Sequence, residues 1–313
     1  MQRSYHLIFI VFLLAVPVEA LTATTDTSSL SVRFDGYRAF EHLRNQCNLG
    51  PRIPGTPPHA AALEYFEREL RQQGLQPRRQ TFETNTNLLG RVELTNLFIL
   101  DGSTTRPQLA LSAHWDTRPM ADEENSPNAR AQPFDGANDG ASGVAVLLEL
   151  ARLLHLQPPQ NHSVLLILVD GEDLGDRDHF DQWCLGSKYF VENLPPGLRI
   201  LAGINLDMVG DRDLHFQREG YSQELAPELN DEIWALGKNL FPAAFSEKSF
   251  RRILDDHHSF LAKKIPFVNL IDFDYPHWHK LSDTPENCSP QSLEITGTVI
   301  WEWLKFRDRK EEK

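Results

Sequence analysis

Residues 163–173, SVLLILVDGED, constrain the fold more than any other stretch of this chain. Six consecutive apolar residues, Val164 to Val169, half of them β-branched, suit a strand covered on both faces, as in parallel α/β sheets. Asp170-Gly171 ends the run with turn chemistry, and two adjacent carboxylates follow, Glu172 and Asp173. That is the carboxyl end of a strand, where open α/β sheets carry their sites. A solvated acidic turn would look the same in this stretch alone, so the other acids and histidines have to decide.

The patterning elsewhere agrees with an α/β chain. Helical spacing runs over 34–49, 56–73, 144–155, 184–192, 227–240, 256–263 and 290–306. Strands are predicted at 76–84, 91–100, 108–113, 200–208, 213–217 and 266–272, the first two forming a hairpin. Strands and helices alternate to the end, with no repeat or composition break. The expectation is one three-layer α/β domain over 33–313, with a central mixed, mostly parallel β-sheet flanked by helices.

The N-terminus reads as a targeting segment. Arg3 precedes ten apolar residues, Leu7 to Val16, and Val18-Glu19-Ala20 has the small-x-small form of a signal peptidase site. Residues 1–20 are expected to be a signal peptide and 21–32 a flexible leader, so the chain is exported, secreted or periplasmic, with no membrane attachment after cleavage. The net charge of −13 argues against nucleic acid or an anionic membrane surface as partner. Cys47, Cys184 and Cys288 lie far apart without metal-site spacing; one disulfide among them would leave a thiol over.

Polar clusters recur at predicted strand ends: His114-Trp115-Asp116, Asp139 in GANDGASG, Glu172-Asp173, Asp207 in NLDMVG, and His277-Trp278-His279, with Asp255-Asp256-His257 as a sixth. A lone strand-end Asp is usually a cap or turn former. Together, Asp, Asp/Glu and His make the ligand set of a catalytic zinc, and the spare member of a carboxylate pair can serve as general base. A metal-dependent hydrolase or transferase follows from chemistry and placement.

These blocks, taken in order, also resemble the M28 zinc peptidase family, with GPRIPGTPPH at 50–59 similar to its N-terminal segment. AHWDTRP, the Asp-Asp-His at 255–257 and Trp278-His279 look most like its glutaminyl-peptide cyclotransferase branch, bacterial-type members above all. The resemblance implies a zinc-exopeptidase-like fold and one zinc bound by Asp139, Asp173 and His279. It implies Glu172 as general acid/base, Asp207 and Asp255 in a hydrogen-bond relay, and Trp278 walling the pocket. The substrates implied are peptide or protein N-termini, the product pyroglutamate, and the state a monomer. An M28-type aminopeptidase is the alternative; it would use a second zinc, for which His114 and Asp207 supply side chains. An inactive exported binding domain is a third reading, disfavoured because every expected ligand position can bind metal.

Three departures stand out. Asp173 replaces the Glu of the animal cyclases, so its backbone must sit nearer the metal. Ala113 and Val144 occupy the region of their cysteine pair. The pocket tryptophan after the carboxylate pair is not clearly placed, with Trp183 a candidate. Cleavage after Ala20 predicts a mature chain starting at Leu21 in an extracytoplasmic fraction; N-terminal sequencing of the exported protein checks it, and a full-length cytosolic chain would contradict it.

Overall fold

The computed structural model describes residues 32–249 and 252–310. The proposed signal peptide and most of the leader lie outside the described residues. In chain order, the helices are α1 (Gly36–Leu49), α2 (Pro57–Gln72), α3 (Pro127–Arg130), α4 (Ala141–Leu156), α5 (Leu185–Glu192), α6 (Gly220–Leu225), α7 (Pro227–Leu240), α8 (Asp256–Ala262) and α9 (Pro290–Lys310). The strands are β1 (Arg78–Thr86), β2 (Gly90–Asp101), β3 (Gln108–His114), β4 (Ser163–Val169), β5 (Ile200–Asp207), β6 (Phe216–Arg218), β7 (Phe245–Ser249) and β8 (Phe267–Ile271).

Local chemistry sets these elements. Asp35 caps α1 by accepting from the N–H groups of Tyr37 and Arg38, and Gly50 closes it with φ 98°. Prolines open α2 and α7, where a missing N–H costs nothing. The apolar run of β4 is fully buried along its length, as its pattern requires of a strand covered on both faces.

β1 to β8 form two sheets, the larger ordered β1-β2-β4-β3-β5-β8. β1 pairs antiparallel with β2, and β2 with β4; β4, β3, β5 and β8 run parallel. The result is a single α/β domain with a mixed central sheet flanked by helices, as the sequence pattern predicts. α1, α4 and α9 pack on one another, while α5 and α8 form a separate pair against β2, β3 and β8. Two details differ. The strand expected at 213–217 begins at Phe216, because Asp213 and His215 give their N–H groups to the carboxylates of Asp211 and Asp272. Its parallel partner β7 carries no alternation strong enough to betray it. Cys47, Cys184 and Cys288 are all buried as free thiols. No helix among the described residues is long and apolar enough to cross a membrane.

Two features aim the parallel strand ends at one point. Helix α4 docks so closely on β5 that a Cβ at Gly143 would lie 2.3 Å from the Leu206 carbonyl oxygen, which brings the start of α4 beside the end of β5. Glu219, fully buried, gathers the segment leading into α8. It accepts from the N–H groups of Tyr221, Ser222 and Ile253, and His257 Nε2 lies 3.0 Å away. Burial alone would raise the Glu219 carboxyl, but His257 and these backbone donors outweigh it and hold the pKa at about 2, against 4.5 for the free group. Its folded pKa being depressed, its contribution is complete above pH ~4.5 and fades as pH falls toward 2. Glu219→Gln is expected to cost about 2–3 kcal/mol at neutral pH, with the gap from wild type closing between pH ~4.5 and ~2; denaturant unfolding across that range measures it.

Candidate metal centre

Four parallel strands deliver their carboxyl ends to one cavity. His114 ends β3, Glu172 and Asp173 follow β4, Asp207 ends β5, and the segment after β8 brings Trp278 and His279. Asp139 arrives from the loop before α4, and Asp255 is the N-cap of α8. All these residues are buried, except Trp278, which is partly buried.

Ligand atoms of Asp139, Asp173 and His279 all lie within 4.8 Å of one another. His279 Nε2 stands 3.2 Å from Asp173 Oδ1 and 3.5 Å from Asp139 Oδ2. Asp139 Oδ2 and Asp173 Oδ2 are buried without any hydrogen-bond partner. Orphaned buried carboxylate oxygens are costly unless a cation satisfies them, and two carboxylates with one histidine match zinc's preferred donors. The residues present fit a zinc ion. A second group shares Asp139: His114 Nε2 lies 3.1 Å from Asp139 Oδ1 and 3.3 Å from Asp207 Oδ1.

The electrostatics point the same way. Burial raises the Asp139 carboxyl, with Asp173 and Asp207 adding to it. Burial would lower His279, but Asp173 and Asp122 overcome it and lift the imidazole to about 10. His114 is likewise drawn upward by Asp116, Asp139 and Asp207 against its burial. The acids around both histidines thus create a field that favours positive charge, which a bound metal would supply.

Glu172 stays outside both clusters. Burial pushes its carboxyl well above the usual range, reinforced by Asp173, Asp255 and Asp256 against the opposing pull of His114. Its oxygen, the Cys184 thiol and an Asp255 oxygen lie within 4.8 Å of one another. Asp255 itself is fixed from below: Asn205 Nδ2 donates to Oδ1 at 3.1 Å and Asn269 Nδ2 to Oδ2 at 2.6 Å, while Ser112 donates to Asn205. The cavity is about 270 Å³, lined by Trp183, Trp278, Ile271 and Phe273 above the acids. Trp278 stacks on His279 at 4.0 Å, and the Trp183 ring lies nearly parallel to His279 at 6.4 Å. Trp183, the loose candidate, thus lines the cavity.

Three buried or half-buried acids that carry no role in the sequence reading hold the site together. Asp116 accepts from the N–H groups of Glu172 and Asp173, at 3.1 and 3.2 Å. Asp283 accepts from those of Asn138 and Asp139, at 2.8 and 3.1 Å, and from the Tyr275 hydroxyl. Asp122 Oδ1 meets His279 Nδ1 at 2.9 Å and so fixes which nitrogen faces the cluster. Asp116 and Asp283 sit inside the conspicuous blocks, two residues from a histidine and inside HWHKLSDTPEN; Asp122 lies in an uninformative polar loop. His279 itself is held in the left-handed region, φ 52°, a strain of about 1–3 kcal/mol for a non-glycine residue.

Comparison with known proteins adds the lineage. The model of peptidase family M28 matches residues 97–304, two thirds of the sequence. The chain belongs to peptidase family M28. Within M28, it is 26% identical to a glutaminyl-peptide cyclotransferase of Bothrops jararaca over 286 residues, covering 80% of this chain and 75% of that one. Its fold superposes on the crystal structure of Porphyromonas gingivalis glutaminyl cyclase with a TM-score of 0.83 at 32% identity, over 88% of this chain and 99% of that one. A structure described as a leucine aminopeptidase precursor from Bacteroides thetaiotaomicron is similar too: TM-score 0.82, 33% identity, 87% and 97% coverage.

Asp116→Asn places an amide where two backbone N–H groups need acceptors. The substitution should cost about 2–3 kcal/mol and loosen the Glu172-Asp173 turn; thermal unfolding and amide exchange at 172–173 measure both.

Proposed function

We propose that this chain is a zinc-dependent glutaminyl-peptide cyclotransferase, exported from the cell, converting N-terminal glutamine of peptides or proteins to pyroglutamate with release of ammonia. One observation carries the reading: a three-ligand cluster with orphaned oxygens, Asp139, Asp173 and His279, beside a buried carboxyl outside that cluster, Glu172, in a small cavity with aromatic walls. The relatives named as glutaminyl cyclases support the choice of reaction.

Asp139, Asp173 and His279 would hold the zinc, which when bound supplies Lewis acidity toward the side-chain amide carbonyl. The rest falls to the protein. A cavity of about 270 Å³ lies just below the range usual for ligand sites, about 300–1,000 Å³, and suits a single amide side chain folded back on its own amine. Trp183 and Trp278 wall it. The substrate's α-amine forms a bond to its own side-chain carbonyl carbon, closing a five-membered lactam, and the bond to the amide nitrogen breaks. Glu172 Oε takes a proton from the amine and returns it to the leaving nitrogen, which departs as ammonia. Burial and neighbouring acids raise its pKa, which strengthens it as a proton acceptor. Asp255, locked by Asn205 and Asn269, lies beside this base and, with Asp207, would form the hydrogen-bond relay that holds its proton in transit. Because the nucleophile is intramolecular, orientation supplies much of the rate.

The His114–Asp139–Asp207 cluster favours a second reading, a two-metal aminopeptidase, since it shares Asp139 with the first group. Incubating purified protein with a Gln-initiated peptide and with aminoacyl reporters separates the two. Ammonia release and loss of that mass from the peptide mark cyclisation; free amino acids and two zinc ions per chain mark the peptidase. Glu172→Gln should lower cyclisation at least ~100-fold while zinc content stays at one per chain; normal turnover in that variant would reject Glu172 as the base.

A further inference from the structure

Arg118 is 3% exposed and belongs to no step above, yet it touches both halves of the site. Its Nη1 donates to the carbonyl oxygens of Asp173, at 3.1 Å, and Gly175, at 2.8 Å, and stands 3.5 Å from Asp173 Oδ1. Its Nε and Nη2 both donate to Asp122 Oδ2, at 2.9 and 2.7 Å, and the other oxygen of Asp122 meets His279 Nδ1. The guanidinium carbon lies over the Trp183 ring, 5.0 Å from its centre. Gly175 is pressed against the same ring, so that a Cβ there would fall 2.2 Å from it.

We propose that Arg118 is a positioning residue that couples the zinc ligands to the wall of the substrate cavity. On one side it sets Asp173 directly and His279 through Asp122. Asp173 has a short side chain, so its reach depends on where its backbone sits, and Arg118 grips that backbone by two carbonyls. On the other side, the same planar cation supports Trp183. Only a fork of donors with a flat face does all of this; a lysine offers one point charge. One group thereby anchors both the aromatic wall and the ligands. The substrate half of this inference rests on the cyclase reading; the zinc half does not.

The test uses full-length mature protein and zinc as the metal probe, in competition with a chelating dye, together with KM for a Gln-initiated peptide at saturating zinc. Folding of each variant is checked by thermal unfolding. Arg118→Lys should bind zinc at least ~10-fold more weakly and raise KM about 3-fold or more. Asp122→Asn should weaken zinc by a similar factor with KM kept within about twofold, and Trp183→Leu should raise KM with zinc affinity kept within about twofold. Wild-type zinc affinity in Arg118→Lys, or wild-type KM, overturns the coupling. Should Arg118→Lys not fold, wild-type zinc affinity in Asp122→Asn overturns it instead. A wild-type chain that leaves Gln peptides untouched rejects the cyclase reading, while the zinc measurements still judge Arg118.

Discussion

Mutual repulsion among buried carboxylates is the constraint on which this structure turns. Asp116, Asp139, Glu172, Asp173, Asp207, Asp255 and Asp256 all lose solvent at one sheet edge. Desolvation and like charge raise the carboxyls of Asp139, Glu172, Asp207 and Asp256. A local cation relieves such a cluster, and the upward shifts of His114 and His279 against their own burial show the negative field that favours one. A fold that concentrates acids so strongly forms a site suited to a metal.

The acids are nonetheless divided by what each one touches. Asp116 and Asp283 spend their oxygens on pairs of consecutive backbone N–H groups and so fix the turns that carry Glu172, Asp173 and Asp139. Asp255 spends its oxygens on side-chain amides and on the start of its own helix. Asp139 and Asp173 each keep an oxygen free of protein donors. Hydrogen bonding thus separates the acids that act as scaffold from those proposed as relay or ligand, which no count of acidic residues would do.

Much of this was legible in the sequence, because period and position carry it. The uninterrupted apolar run 164–169 requires a strand covered on both faces, and the polar blocks that end such strands can only meet at one edge. Asp139, Asp173, His279, Glu172 and Asp255 converge for that reason. The supports were harder to see. Asp122 and Arg118 act across long sequence separations through loops without periodicity, and Glu219 caps a short helix whose importance appears only when His257 is beside it. Trp183 lacked a fixed spacing from the carboxylate pair, and its place depends on a β-bridge with Asp173 that closes the intervening loop. The weak β6–β7 pair shows the same limit: a two-stranded edge satisfies backbone groups with little hydrophobic pattern to announce it.

The central claim is that the edge holds one zinc between Asp139, Asp173 and His279 while Glu172 remains free. Anomalous diffraction at the zinc edge, on crystals of the protein loaded with equimolar zinc, tests it most directly. A single peak within about 2.0–2.2 Å of oxygens from Asp139 and Asp173 and of His279 Nε2, with Glu172 uncoordinated, is the predicted result. A peak at His114 and Asp207, or zinc ligated by Glu172, would contradict it.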